Sequence, residues 1–529
     1  MYSDGVGFPR LTPTPNFAAL LQGPFALRPF SSLDVIHSVL IANRGEIALR
    51  IVRAVRDLGL RAITVYSEAD KLAPHVLLAD EAYEIGPPPA SESYLCVDRL
   101  IEVARVAQAD AVHPGYGFLA ERADFAQAVE SAGIIFIGPM PETIAAMGDK
   151  TEARKRMAAA GVPIVPGAIE AVSSASEALR ASEELGFPVL LKAVSGGGGK
   201  GMRVVERPEE LERSFTAATR EAEGAFGDGR IYVESYVDRP RHVEVQILGD
   251  NYGNLVHLGE RECSIQRRHQ KLIEEAPSPL LTAQERSVIG EVALTAARAV
   301  DYRGAGTVEF LYQGDNYYFL EMNTRLQVEH PVTELITGID LVEWQLRVAS
   351  GEPLGFSQGD ITLTGHAIEC RITAEDPLAG FLPSTGTISH LEVPAGLGVR
   401  WDGGVLEGLE VSRHYDPLLG KLITHGSDRL SAVVRMARAL DELEVVGVKT
   451  SAFFHRRVME ETDFLAGNLS VAYLDEHPDV LLPRASEDDL VIAAAAAALM
   501  EDYHRRRHRP PRFNRGNAGN QMSAWRASK

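Results

Sequence analysis

The amino-acid sequence predicts an α/β protein that ends in an α+β domain. Its length of 529 residues is too great for one ordinary domain and suggests three or four units. Short apolar strands alternate with amphipathic helices over residues 39–138, a pattern typical of a doubly wound parallel sheet. Residues 187–205 place a glycine-rich loop between two strands, and residues 306–334 form the pattern of a hairpin that carries polar side chains.

The composition excludes several classes of function. With 45% apolar and 24% charged residues, the chain is typical of soluble globular proteins. A formal net charge of −20 argues against a general partner of nucleic acids or anionic membranes. The three cysteines lie far apart without zinc or CxxC spacing, so we expect free thiols in a reducing compartment, the cytoplasm. No apolar run approaches the roughly 18 residues of a membrane span.

The first 35 residues are rich in Pro, Gly and Phe and lack the features of a signal peptide, so we expect a flexible extension; the alternative is an organelle transit peptide, which the few acids favour and the few Arg residues oppose. Strands of the parallel sheet are then predicted at 38–42, 62–66, 81–85, 110–113 and 134–137. The first strand-to-helix turn, IANRGEIA, lacks the GxGxxG motif, which disfavours a nicotinamide dehydrogenase. In the turn HPGYGF, two glycines flank Tyr116 and allow its ring to be presented to a ligand; alternatively, the turn only ends a strand.

Two lysines occupy positions that suit phosphate binding. Asp149 can cap a helix that holds Lys150 in its first turn, where a cation is unfavourable against the helix dipole unless an anion binds there. Lys192 lies in an almost wholly apolar strand before the loop GGGGKG, residues 196–201. That loop is not a Walker A motif and leads into a strand, so it suits a lid over phosphates; the alternatives are a solvated lysine and a flexible linker.

The hairpin carries a possible metal site. A three-residue loop at 314–316 would place Glu309 opposite Glu321, and like charges paired across strands repel by roughly 0.2–1 kcal/mol. A divalent cation between them removes this conflict, and Asn323 faces the same side as Glu321, which completes an oxygen set suited to Mg²⁺. The alternative is a solvent-facing edge that carries ordinary acids.

Further polar residues follow at every second position. If the chain stays extended, Arg325, Gln327 and Glu329 share one side and could hold a small planar anion while a carboxylate removes its proton. Residues 241–248 alternate in the same way, with His242, Glu244 and Gln246 on one face. The cluster RRHQK at 267–271 could be a basic surface patch, but the adjacent acids and the acidic chain oppose nucleic-acid binding.

The string EMNTRLQVEHPVTE resembles the biotin carboxylases, the ATP-grasp enzymes that carboxylate biotin, and the resemblance spans about residues 38–475. It implies a Rossmann-like N-terminal domain, an ATP-grasp domain with a mobile glycine-rich lid and a C-terminal α+β biotin carboxylase domain. The expected segments are the extension at 1–35, the N-terminal domain at 36–150, the ATP-grasp domain at 151–364 with its lid at about 167–238, the C-terminal domain at 365–478, and an Ala-rich helix with a basic tail at 479–529.

The resemblance also implies the roles of individual residues. ATP would contact Lys150, Lys192, Gly197, Gly198, Gly199, Glu234, His242, Gln266, His269, Glu309 and Glu321. Mg²⁺, or Mn²⁺, would be held by Glu309, Glu321 and Asn323. Bicarbonate would lie against Lys271, Arg325, Gln327, Val328 and Glu329, and biotin against Tyr116, Gly117 and Arg371. The catalytic set would be Glu329, Arg325, Lys271 and Arg371. The family often has a lysine after the adenine-binding glutamate, where this chain has Ser235, which puts the local nucleotide contacts in doubt.

The expected reaction is the first half-reaction of an acetyl-CoA or another acyl-CoA carboxylase. Because no Met-Lys-Met biotin-attachment sequence occurs in the chain, biotin is expected on a separate biotin carboxyl carrier protein, with carboxyltransferase subunits as further partners and a homodimer or larger assembly. Residues 504–529 carry seven Arg and one Lys without an acid, which suits a disordered or docking tail. Alternatives are another ATP-grasp ligase, such as half of a carbamoyl-phosphate synthetase, and a nucleotide-binding scaffold without turnover.

Overall fold

The computed structural model describes residues 35–168, 170–194, 202–314, 316–482 and 487–507. The predicted extension at 1–34, the lid glycines Gly197 to Gly199 and the tail from 508 onward lie outside the described residues. The chain divides into two compact units, Met1–Leu481 and Leu482–Lys529. Within the described part of the chain, every helix is too short or too polar to cross a membrane.

The N-terminal part is a doubly wound parallel sheet, as the strand and helix pattern predicts. Its elements are β1 (Ser38–Ile41), α1 (Gly45–Asp57), β2 (Arg61–Ser67), α2 (Pro74–Leu78), β3 (Glu81–Gly86), α3 (Val97–Val106), β4 (Ala111–His113), α4 (Ala123–Ser131), β5 (Ile135–Phe136) and α5 (Pro141–Gly148). The strand order is β3-β2-β1-β4-β5, so the winding reverses between β1 and β4. At the carboxyl ends of these two strands, the Asn43 side chain donates to the carbonyls of Pro114 and Tyr116, both at 2.7 Å, and fixes the HPGYGF turn.

A small sheet follows, with two helices packed on it. The elements are α6 (Lys150–Ala159), α7 (Ala175–Leu185), β6 (Val189–Ala193), β7 (Met202–Val205), α8 (Pro208–Phe226) and β8 (Ile231–Ser235). The strands are antiparallel in the order β7-β6-β8, and Lys192 of β6 pairs with Met202 and Tyr232. Apolar residues of all three strands form one core with α7 and α8, among them Leu191, Val205 and Phe215. Lys192 therefore projects from a strand that is fixed by packing.

The centre of the molecule is one antiparallel sheet that continues from the middle of the chain into its C-terminal part. The elements up to the first C-terminal strand are β9 (Arg241–Gly249), β10 (Leu255–Arg267), β11 (Gln270–Ala276), α9 (Ala283–Arg298), β12 (Gly304–Gln313), β13 (Asn316–Asn323), α10 (His330–Thr337), α11 (Leu341–Ala349) and β14 (His366–Thr373). Those that follow are β15 (Glu375–Asp376), β16 (Leu382–Pro383), β17 (Gly386–Thr387), β18 (His390–Glu392), β19 (Val399–Gly403), β20 (Glu410–Val411), β21 (Leu418–Gly426), α12 (Arg429–Glu442), β22 (Glu444–Val446), α13 (Ala452–Val458), α14 (Thr462–Ala466) and α15 (Tyr473–Glu476). The sheet order is β13-β12-β9-β10-β11-β14-β21-β19.

Helices pack on both faces of the central sheet at β11, β14 and β21, where the middle of the chain meets its C-terminal part. On one face, Val332 and Ile336 of α10 pack on Ala276, Ala367 and Ile423. The other face forms a larger core with α12 and α13, which buries apolar residues such as Met436 and Phe454. α10 therefore covers polar side chains of the strands beneath it, such as Arg261 of β10, which donates to Thr333 of α10. The predicted Ala-rich helix is present separately as α16 (Glu487–Arg507).

The central hairpin has the predicted Glu309 to Glu321 pairing, but for a different reason. The predicted three-residue loop is wrong, since Gln313 pairs with Asn316 and leaves only two residues between them. That shorter loop alone would move Glu321 out of register. A bulge at Leu320 adds one residue to β13 and restores the pairing with Glu309. The chain also does not stay extended beyond β13, because a turn leads directly into α10.

Candidate active site

One large cavity of about 1220 Å³ collects side chains from all three parts of the compact unit. Its walls include Tyr116, Gly117, Lys150, Lys192, Glu234, His242, Gln266, His269, Lys271, Glu309, Glu321, Asn323, Arg325, Gln327, Val328 and Arg371. Glu329 is fully buried behind this wall, in contact with Lys271 and Arg371. The structure therefore brings the sequence-predicted site residues to one place, apart from the lid glycines, which lie outside the described residues.

Three carboxylates lie in register across neighbouring strands on the cavity side of the sheet. Glu309 of β12 pairs with Glu321 of β13 on one side and with Glu244 of β9 on the other, and Glu244 in turn pairs with Arg261 of β10. The Arg261 side chain is completely buried and donates to Glu244 at 2.5 Å. The order across the strands is thus Glu321, Glu309, Glu244 and Arg261, which places three negative charges side by side. Within this row, Arg261 neutralises Glu244, its direct neighbour.

Glu309 lies at the centre of the row, and four polar neighbours hold its carboxylate. His242 Nε2 lies 2.7 Å from Oε2, while Lys271 Nζ and the Asn323 and Gln327 amides contact Oε1 at 2.9, 2.7 and 3.1 Å. Burial favours the neutral form, but Lys271 and His242 outweigh it and lower the pKa of Glu309. Glu309 therefore carries a negative charge at neutral pH.

Glu321, at the end of the row, has the opposite electrostatic environment. Burial and the neighbouring Glu309 raise its pKa, and Lys150 and Lys192 oppose that rise. Two carboxylates and the Asn323 amide are the oxygen ligands that Mg²⁺ prefers, and a cation between them would relieve the repulsion that falls on Glu321. The donor set and the uncompensated charge both fit a magnesium ion.

Lys150 begins α6, and the predicted cap is confirmed. The Asp149 carboxylate accepts from the backbone N–H of Thr151 at 2.8 Å and of Glu152 at 3.0 Å. Burial, followed by the charge of Lys192, lowers the pKa of Lys150. A lysine at a helix N-terminus that is close to a second lysine, on β6, is suited to an anion such as phosphate.

Lys271 connects the acid row to Glu329. Its ammonium group contacts Glu244 at 2.5 Å, Glu309 at 2.9 Å and Glu329 at 2.7 Å. Arg371 contacts the other oxygen of Glu329 at 2.9 Å and Glu274 at 2.6 Å. Although burial opposes ionisation, Lys271 and Arg371 lower the pKa of Glu329 well below its usual range. Glu329 is thus a carboxylate held between two cations.

Arg325 and Gln327 connect this centre to Asn323 and Glu309. Arg325 is held by Glu121 from the N-terminal part at 3.0 Å, and donates to Asn323 at 3.1 Å and to Gln327 at 3.2 Å. The chain bends at Arg325 and turns before α10, so the condition of an extended chain is not met, but Arg325 still contacts Asn323 and Gln327.

The basic cluster at 267–271 is a tight turn at the rim of the cavity, and its residues Arg268, His269 and Gln270 are exposed. Arg268 and His269 both have positive φ, 49° and 66°, an uncommon conformation for residues with side chains. This two-residue turn joins β10 to β11 and pairs Gln266 with Lys271. Non-glycine residues in this conformation concentrate at functional sites. Nearby, Glu234 of β8 is bound to Arg154 of α6 at 2.7 Å.

Sequence reasoning misses several members of this site. It does not single out Arg261 or Glu274, and it places Glu244 only on a polar strand face. The alternation of residues 241–248 is the available signal for Glu244. The pairing of Glu244 with Glu309 depends on β9 lying beside β12, which periodicity within one strand does not reveal.

Comparison with known protein families decides the relationship. Residues 35–144 match the family model of the biotin carboxylase N-terminal domain, residues 149–356 that of the ATP binding domain of the carbamoyl-phosphate synthase L chain, and residues 369–476 that of the biotin carboxylase C-terminal domain. The chain belongs to the biotin carboxylases. The resemblance in the hairpin sequence and the three-domain ATP-grasp fold are thereby confirmed.

Individual biotin carboxylases are similar over most of this chain. A biotin carboxylase of Allochromatium vinosum is 52% identical over 443 residues, which cover 84% of this chain and 98% of the relative. A pyruvate carboxylase subunit of Methanothermobacter thermautotrophicus is 53% identical, over 83% of this chain and 89% of the relative. The biotin carboxylase domain dimer of Hydrogenobacter thermophilus 2-oxoglutarate carboxylase, solved with MgADP, ADP and bicarbonate, has a TM-score of 0.82 and 48% identity, covering 85% of this chain and 100% of that one.

Proposed function

We propose that this protein carboxylates biotin on a separate carrier protein, with ATP and bicarbonate, through carboxyphosphate. This is the first half-reaction of an acyl-CoA carboxylase. The observation that carries the proposal is Glu329, a buried carboxylate held between Lys271 and Arg371, in the same cavity as the acid row and the two phosphate-binding lysines. A base for bicarbonate, an anion site for phosphates and a cation for biotin are thus adjacent.

The nucleotide would bind at the Glu321 end of the cavity. Magnesium, when bound by Glu309, Glu321 and Asn323, supplies positive charge next to the transferring phosphoryl group. Lys150 and Lys192 would neutralise phosphate oxygens from the other side. Glu234, His242, Gln266 and His269 would contact the adenosine part, as the family resemblance implies.

Bicarbonate would bind between Lys271 and Arg325, beside Gln327 and Val328. A carboxylate whose pKa is far below its usual range is a weak base, and two cations keep Glu329 in that state. An anion that enters this site competes with Glu329 for the same N–H donors. Glu329 then regains basicity at the moment when it must take the bicarbonate proton, which makes the bicarbonate oxygen nucleophilic.

Biotin would bind against Arg371, Tyr116 and Gly117. Arg371 is fixed by Glu274 and Glu329, so its remaining N–H groups are preorganised toward the cavity. Such a guanidinium stabilises negative charge that develops on the ureido oxygen when released phosphate removes the ureido proton. The carboxylation of the ring nitrogen would follow.

The proposal extends to partners and location. The relatives include subunits of pyruvate carboxylase and of propionyl-CoA carboxylase, which are parts of carboxylase assemblies. We therefore include a biotin carboxyl carrier protein and carboxyltransferase subunits as partners, a homodimer of this chain, and the cytoplasm as the location. Fatty acid biosynthesis or acyl-CoA metabolism would use the product.

Steady-state ATP hydrolysis tests the proposal. We expect ATPase activity that depends on bicarbonate, rises with free biotin and is lost in Glu329→Gln, while Glu407→Gln, at an exposed position, behaves as the wild type. ATP hydrolysis that depends on neither bicarbonate nor biotin would favour another ATP-grasp ligase. Tight nucleotide binding without turnover would favour a scaffold, and either outcome would refute the proposal.

A further inference from the structure

Lys421 is a completely buried cation that the proposed chemistry does not use. It lies on β21, and its side chain has no exposed surface. Across the strands it pairs directly with Arg371 of β14, so two positive charges stand side by side in the sheet. On its other side Lys421 pairs with Asp402 of β19, so the repulsion from Arg371 is opposed by a neighbouring negative charge.

The Lys421 ammonium group contacts two other parts of the chain. It donates to the backbone carbonyl of Val328 at 2.7 Å and lies 3.2 Å from Glu46 Oε1 at the start of α1. Glu46 in turn accepts a hydrogen bond from the Tyr116 hydroxyl. Lys421 therefore joins the segment before Glu329 to the HPGYGF turn, although these belong to different domains.

The contact with Val328 restricts the peptide bond that leads into Glu329. Because a trans peptide is planar, a carbonyl held toward Lys421 turns the Glu329 N–H to the opposite side. The orientation of the backbone at Glu329 is thereby fixed. Glu46 depends on the same cation: burial raises its pKa, Lys421 is the largest influence that lowers it, and its second oxygen is buried without a hydrogen-bond partner.

The charge of Lys421 has a structural part as well as a positioning part. Burial of an ammonium group has a large desolvation cost, which Glu46 and Asp402 offset, and loss of the cation alone would leave Glu46 buried without it. The contacts of Lys421 reach further than this balance of charge, because Val328 and, through Glu46, the ring of Tyr116 both line the cavity.

We propose that Lys421 is a positioning residue that holds the bicarbonate-binding segment at Val328 and, through Glu46, the biotin-binding ring of Tyr116 in one arrangement. This inference rests on the proposed function of both segments. Its consequence is that the bicarbonate and biotin sites are aligned by one buried charge, whereas the ATP site is not.

Kinetic variants of the full chain test this role. Lys421→Met should raise KM for both bicarbonate and free biotin by about tenfold, the equivalent of about 1.4 kcal/mol. KM for ATP should stay at the wild-type value, because Lys421 holds Val328 and Glu46, whereas the proposed phosphate contacts Lys150 and Lys192 lie on α6 and β6. Glu46→Gln should raise KM for biotin more than KM for bicarbonate, since Lys421 still holds Val328. Lys421→Arg keeps the charge and should recover part of the loss.

Arg429→Met is the matched control. Arg429 also belongs to the C-terminal part and forms a largely buried pair with Glu275, but it lies outside the cavity. We expect a lower Tm and three unchanged KM values. If Lys421→Met shows this same behaviour, the positioning role is refuted. If Lys421→Met does not fold, an unchanged KM for biotin in Glu46→Gln refutes it. A wild-type protein without biotin-dependent turnover would instead refute the proposed function, and the positioning role with it.

Discussion

Replacement of Glu321 by glutamine should make the metal-free protein more stable and at the same time abolish magnesium-dependent turnover. In the folded protein, burial and Glu309 raise the pKa of Glu321. A carboxyl group whose folded pKa exceeds its unfolded pKa lowers the stability of the fold at any pH above both values. Glutamine has nearly the same shape and carries no charge, so it removes this penalty together with a charged metal ligand.

The expected gain in stability follows from the register of the hairpin. Glu309 and Glu321 are directly opposed, a position where like charges cost roughly 0.2–1 kcal/mol. For a protein of this size, that gain corresponds to a rise in Tm of about 0.2–1 °C. A ligand at about 100 times its Kd adds about 2.7 kcal/mol of stability to the protein that binds it. Magnesium with a non-hydrolysable ATP analogue should therefore stabilise the wild type much more than the variant.

Scanning calorimetry with EDTA, and then with magnesium and the analogue, measures both effects, and bicarbonate-dependent ATPase assays measure turnover. Glu392→Gln is the matched control, because Glu392 also faces a glutamate across strands, Glu444, but both are exposed and far in sequence from the cavity residues. It should change stability by less than about 0.5 kcal/mol and leave turnover unchanged. A lower Tm for Glu321→Gln in EDTA, or normal magnesium-dependent turnover, would show that Glu321 is not a strained metal ligand.

Three further predictions concern other parts of the chain. Arg261→Met should lower the free energy of unfolding by about 3–5 kcal/mol in urea titrations, because it removes one of the two cations that contact Glu244 and leaves Lys271 shared among three buried carboxylates. Arg438→Met, which breaks an exposed pair, should cost under about 1 kcal/mol. Burial raises the pKa of Glu274 from 4.5 to about 7, so the stability of the fold should fall as the pH rises between these values. Glu274→Gln should make Tm less dependent on pH in this range, and an unchanged dependence of Tm on pH would contradict the prediction. Deletion of residues 504–529 should weaken capture of a biotinylated carrier at low salt and leave activity on free biotin unchanged; equal capture by both forms would contradict a docking role.

Much of the fold is encoded in local patterns of the sequence. The strands and helices of the parallel sheet, the Asp149 cap and the strand that holds Lys192 each depend on residues within a few positions of one another. Such features are set by periodicity, capping and turn chemistry, which act over one element at a time. The family signature in the hairpin also identifies the reaction class, because its residue types and spacing lie in one continuous segment.

The hairpin shows where local reasoning reaches its limit. A loop of two residues would have separated Glu309 from Glu321, and only the bulge at Leu320 restores the pair. A bulge depends on packing of both strands against their neighbours, so the loop length alone did not determine the register.

The sequence by itself determined which residues have the chemistry for phosphate, metal, bicarbonate and biotin. Only the tertiary structure decided how their charges balance. Arg371 meets Glu274 across 97 positions of sequence, and Lys421 meets Val328 across 93. These contacts exist because β14 and β21 extend the same sheet as β11, a pairing that no local pattern specifies. Burial and neighbouring charges then set the pKa of each carboxylate, since both depend on strands that are distant in the chain.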